Sequence, residues 1–220
     1  GSILTSADIA DGSISTAKIA DDAVGNTKLD LTANYAFTGT VSGTPQGMTL
    51  INSTSSTSTV ASFSIDNVFS STYKFYRVYM RVEYSQNSGY YMRMLQSDGS
   101  ERTANYYLVD EGHATDGTSF SGSSNNVSTF YIGRHSGGNV AGGGNRGGHY
   151  IMDFYDPFSS SVTHYFGRQM GYHDSNGKYT AVVQTGFNSN AESHRGFKVV
   201  GNSTPNIIQH DVKVYGITNA

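Results

Sequence analysis

The stretch YKFYRVYMRVEY, residues 73–84, decides how most of this chain folds. Its even positions, Tyr76, Val78, Met80, Val82 and Tyr84, are apolar throughout, while its odd positions, Phe75, Arg77, Tyr79, Arg81 and Glu83, mix aromatic rings with charge. A period of two sends these sets to opposite faces of a strand. The even face belongs in a core. The odd face is too aromatic for bare solvent and suits a partly covered sheet or a subunit interface, with a solvated face as the alternative.

Reading outward, the same texture recurs. SQNSG (85–89) turns the chain into a second alternating run at 90–96, and Asp98-Gly99 marks the next turn. Further strands are expected at 105–109, 127–132, 149–155, 162–173, 178–187, 196–200 and 207–217, and upstream at 48–52 and 60–65, with STSSTST (53–59) as a polar loop. DSNG (174–177) is the clearest hairpin signal, because Asn-Gly accepts the positive φ that a tight turn demands. About eleven short strands and no convincing helix predict an all-β chain, a jelly-roll-like antiparallel β-sandwich over 48–220.

Composition agrees. Charged residues make up 14% of the 220, against a usual figure of about 25%, and the chain has 26 Gly, 16 Tyr and no Cys. Without Cys there is no disulfide framework or thiolate metal site. The net charge is −3, and residues 1–48, with five Asp and two Lys, carry all of it; the remainder has 12 acidic (17 less 5) and 12 basic (14 less 2) residues. With no basic stripe, nucleic acid is not expected as a partner. Apolar runs fall well short of the ~18 residues a membrane helix needs, so no membrane insertion is expected either.

The first 33 residues obey a different rule. Ile9, Ile14, Ile19, Val24 and Leu29 recur every five positions. On a helix such steps scatter the side chains around the axis, and on a strand they alternate between faces, so one copy cannot bury them on one side. Three readings remain: an intertwined oligomer with these five at its axis, a single-chain pentapeptide β-helix, or a disordered leader. Five units make little more than one coil of a β-helix, which favours the oligomer. Residues 34–47, NYAFTGTVSGTPQG, read as a joint.

ADGSISTAKIADDAVGNTKL followed by NYAFTGTVSG resembles the stalk repeat and stalk-to-head junction of bacteriophage tail-fibre and related virion-fibre proteins. FSIDNVFSSTYKFYRVYMRV and the terminal VKVYGITN are similar to their head domains, a weaker match. The resemblance implies a parallel homotrimer located in the virion, joined to other virion proteins through its stalk and touching the host with a C-terminal β-rich head.

Site chemistry is sparse. The glycine-rich interval GRHSGGNVAGGGNRGG (133–148) offers His135, Asn139, Asn145 and Arg146 for hydrogen bonding to a host surface glycan or outer-membrane component; the plainer reading is a flexible connection. Tyr165, Tyr172, His173 and Tyr179, near the 174–177 turn, are candidates for stacking on sugar rings, with core packing or subunit contact as the competing account. In a loop expected over 110–126, Asp110, Glu111 and Asp116 lack calcium-loop spacing. Seven histidines (113, 135, 149, 164, 173, 194, 210) include no H-x-H pair of the kind that threads metal through some phage fibre tips; most are expected on loops or strand surfaces. Asp153 and Asp156 are the nearest approach to a glycosidase pair and read better as strand-end and turn residues. No nucleophile elbow occurs. The expectation is host attachment without catalysis, metal or cofactor; the alternatives are a capsid decoration protein and a polysaccharide-degrading tailspike.

Overall fold

A computed structural model describes residues 47–85, 90–132, 134–135, 138–139, 147–173, 178–201 and 207–217. The repeat, with Ile9, Ile14, Ile19, Val24 and Leu29, and the joint up to residue 46 lie outside the described residues. What is described is all-β, fourteen strands without a helix. In chain order these are β1 (Met48–Ser56), β2 (Ser62–Ile65), β3 (Phe75–Tyr84), β4 (Tyr90–Gln96), β5 (Tyr106–Ala114), β6 (Ser119–Val127), β7 (Phe130–Ile132), β8 (Arg134–His135), β9 (Gly138–Asn139), β10 (Gly148–Tyr155), β11 (Val162–His173), β12 (Lys178–Ala191), β13 (His194–Gly201) and β14 (Ile207–Ile217).

Every pairing is antiparallel. Eight strands form a large sheet in the order β1-β14-β3-β10-β11-β12-β5-β6, four form a small sheet, β2-β13-β4-β7, and β8 pairs with β9 as a ribbon. The two-faced reading of β3 holds: Tyr76, Val78, Met80, Val82 and Tyr84 are all buried at 3% exposure or less. They meet Met92, Met94, Phe197 and Val199 of the small sheet in one core. Aromatic rings bridge the layers. Phe154 of β10 stacks on Phe197 of β13 at 6.1 Å, and Phe130 of β7 lies 4.6 Å from Tyr106 of β5 and 4.9 Å from Tyr165 of β11. The two sheets thus pack as a β-sandwich.

Several boundaries differ from the sequence expectation. The polar run after Asn52 continues β1 to Ser56 instead of looping, because it pairs with Val214 to His210 on β14. The loop expected over 110–126 is a hairpin: β5 extends to Ala114 and turns through 115–118 into the Ser-rich β6. Gly117, at φ 85°, supplies the positive dihedral of that turn. β11 and β12 flank 174–177 in register, His173 opposite Lys178, as the Asn-Gly signal requires.

Candidate functional site

Strand registers divide the sandwich into two ends. Met48, where β1 begins, is in register with Ile217, Phe75, Tyr155, His164, Phe187 and Tyr107 across seven strands, so chain entry and the end of β14 share one end. At the opposite end β3 finishes beside the start of β4, with Tyr84 stacked on Tyr90 at 4.2 Å and Tyr90 against Tyr150 at 5.3 Å. Ile207 pairs with Tyr84, Gly201 and Ile132 pair with Tyr90, and Gly148 pairs with Val82. The strand ends that flank 86–89, 133–147, 174–177 and 202–206 therefore gather together. Along β11 alone, the eight steps from His164 to Tyr172 span about 26 Å between the ends.

At this far end the tips of two hairpins are tied side by side. The Thr115 N–H donates to the Tyr179 carbonyl at 2.9 Å, the Tyr179 N–H donates to the Thr115 hydroxyl at 3.3 Å, and Lys178 forms an ion pair with Asp116. The lysine hydrogen bond holds the Asp116 carboxyl down to about 2. Tyr172 and Tyr179 meet edge to face at 4.9 Å, with Tyr172 half-buried and Tyr179 half-exposed. A rigid aromatic step beside a fixed charge pair can stack a sugar ring and bond its hydroxyls.

The other candidates fare differently. His135 and Asn139 sit on the β8–β9 ribbon, where Arg134 opposes Asn139 and His135 opposes Gly138; Asn145 and Arg146 lie outside the described residues, as does the side chain of His173. Tyr165 is not available to a ligand: it points inward, 4% exposed, between Phe130 and Phe154. Its neighbours His164 and Phe166 are outward, so parity within an aromatic run decided the matter. Asp110 is buried while Glu111 faces the other way, and Asp116 answers Lys178, so these acids do not converge. Among the described residues no three His, Asp or Glu gather as a metal set. Asp153 is gripped by Arg77 through two bonds of 2.6 and 2.7 Å, and Asp156 occupies the turn after β10 at φ 50°.

Among the described residues, two of the seven histidines are buried. His194, fully enclosed, has Nδ1 2.9 Å from the Thr163 hydroxyl and Nε2 3.2 Å from Glu192. His210 stacks on Phe63 at 4.0 Å. Burial pushes both pKa values down, against the opposing pull of Glu192 and Asp211 respectively.

The outer face of the large sheet is the feature the sequence disclosed only in part, through the aromatic-charged odd positions of β3. The outward sets of β1, β14, β3, β10, β11, β12 and β5 merge into one surface, and eleven of the twelve exposed large apolar side chains lie on it: Met48, Leu50, Phe75, Tyr79, Val109, Ile151, Tyr155, Phe166, Met170, Tyr179 and Val183. The twelfth, Phe158, is in the turn after β10. A groove of about 670 Å³ crosses this face, floored by Tyr79, Ile151, Met170 and Val183 and edged by Arg81, Glu111, Arg168 and Lys213.

Comparison with family models, with curated proteins and with solved structures returned no match.

Proposed function

We propose that this chain is a bacteriophage virion fibre protein, homotrimeric through its N-terminal repeat, that attaches the particle to a host surface glycan or outer-membrane component by binding alone. One observation carries the reading: chain entry lies at one end of the sandwich, and the aromatic hairpin tips together with the flanks of the glycine-rich interval lie at the other. A head mounted on a stalk needs this polarity, because the surface that meets the host must be the one farthest from the mount. Three copies side by side convert three weak sites into avid attachment on a repetitive surface.

Strand order supports the finer architecture. Setting aside the β5–β6 and β11–β12 hairpins leaves β1-β14-β3-β10 facing β2-β13-β4-β7, which suits an eight-stranded jelly roll with two hairpins added to one sheet.

The test is saturable binding of the labelled full chain to a panel of bacteria, with its mass in solution measured alongside. Tyr172→Ala combined with Tyr179→Ala is expected to weaken binding roughly tenfold or more, the scale of lost ring stacking, at unchanged mass and melting temperature. Saturable binding that the double variant leaves intact refutes the tip as the contact. A trimer that binds no strain, including the phage's own host, favours capsid decoration.

A further inference from the structure

We infer that the outer face of the large sheet is where copies of this chain meet, so that the sandwich itself, and not only the repeat, holds the assembly together. The inference rests on the homotrimeric reading above and adds the surface that such an assembly buries.

The first argument is area. With Tyr179 left to the far tip, the other ten apolar side chains on that face are 36–57% exposed. At roughly 150–200 Å² per large side chain they present on the order of 800 Å², beyond the ~300–600 Å² of the largest patch on an ordinary monomer and close to the ~800 Å² each partner contributes to a standard interface. Concentrating this area on one sheet, while the four-stranded sheet contributes none of it, is costly for a free surface and normal for a covered one.

Charge gives the second argument. Arg168 and Lys213 are interspersed with Glu111 and Asp211, while Arg77 and Arg81 are already paired with Asp153 and Glu83. The face therefore brings no single-sign field against a copy of itself and offers both signs for pairing. A glycan would engage a few rings and their polar rim; it does not explain apolar side chains spread over six strands.

The chain's own layout supplies the third. Met48 and Leu50, the first outward residues of β1, belong to this face, and the five-residue repeat, which cannot bury its apolar residues alone, ends at Leu29, nineteen positions upstream of Met48. Both segments of the chain therefore carry apolar residues that a single copy leaves without cover.

Hydroxyl-radical footprinting of the full chain, with sedimentation for mass, tests this. Met170 is 55% exposed within one copy. In the assembled protein its oxidation is expected to be roughly tenfold slower than in the urea-unfolded chain, since thioether oxidation follows exposure. Met170→Glu with Val183→Glu, both outward, is expected to weaken assembly roughly 100-fold by placing unpaired charge in a dry contact, with the circular dichroism of the sandwich unchanged. A trimer in which Met170 oxidises as in the unfolded chain, or which the double variant leaves intact, overturns the inference and spares the fibre reading. A monomer with Met170 exposed overturns both. A monomer with Met170 protected overturns the inference in favour of the chain's own N-terminal segment as the cover.

Discussion

Replacing Phe154 by Ala tests whether the two sheets share one core. Phe154 is 1% exposed on β10 and touches three rings, Phe69 at 5.5 Å, Tyr165 at 5.6 Å and Phe197 at 6.1 Å, the last belonging to the opposite sheet. Losing the ring forfeits about 1.5–3 kcal/mol of transfer energy. A residual cavity on the order of 60–100 Å³ adds about 1.5–2.4 kcal/mol at ~24 cal/mol per Å³, because three aromatic neighbours fixed on three different segments collapse poorly. The expected total is about 4 kcal/mol, which for a domain of this size lowers the melting temperature by about 8–16 °C. Urea melts of wild type, Phe154→Ala and Phe154→Leu, followed by circular dichroism and tyrosine fluorescence, provide the measurement. Phe154→Leu should fall well short of the alanine cost. A loss below about 1 kcal/mol for the alanine variant, at unchanged denaturant slope, would refute the shared core and mean that the sheets are held together elsewhere.

Gly196→Ala should destabilise by about 1–3 kcal/mol, since its Cβ would sit 2.2 Å from the Ile65 carbonyl oxygen and force β13 from β2; an unchanged melt contradicts that packing. His194 and His210 have folded pKa values below the ordinary 6.5, so the unfolded chain binds more protons as pH falls; their stabilisation is complete above that value and lost below it. Melting temperature should therefore drop between pH 7 and 5, before the carboxylates protonate, and a flat profile there refutes the burial of these rings. Ile14→Asp with Ile19→Asp should weaken assembly, read as a lower mass on dilution, while leaving the sandwich folded; unaltered assembly removes the repeat from the interface.

The parts of the fold legible in the sequence were those where one strand decides its own faces. The β3 run has five apolar residues on one parity, and the 174–177 turn has a dipeptide with a dihedral requirement. β6 was not legible, because SFSGSSNNV is an edge strand held by backbone bonds to β5 with little side-chain burial, and its serines and asparagines carry no strand signal. Tyr165 and Tyr172 look alike in VTHYFGRQMGYH, with rings on both parities, and only the packing of Phe130 and Phe154 assigns the first to the core. Of the outer face only the β3 share could be read, where the odd positions are too aromatic for bare solvent. Its continuity depends on β14 lying beside β3 and β12 beside β5, partners separated by more than sixty residues, and no local pattern records which strands are neighbours.

The two surfaces also differ in how freely they can change. The intervals 86–89, 133–147, 174–177 and 202–206 connect the sandwich strands in sequence, and doubling the length of a connection of this kind costs only about 0.6 kcal/mol in closure entropy. On the outer face, a residue slipped on any strand inverts its whole outward set and breaks rows that run across seven partners. Sequence drift at the far end is thus cheap and independent from one interval to the next, whereas the sheet face must drift as a block or not at all. A lineage of such chains would diverge in the four intervals while keeping the outward rings of β3, β10 and β12 nearly fixed.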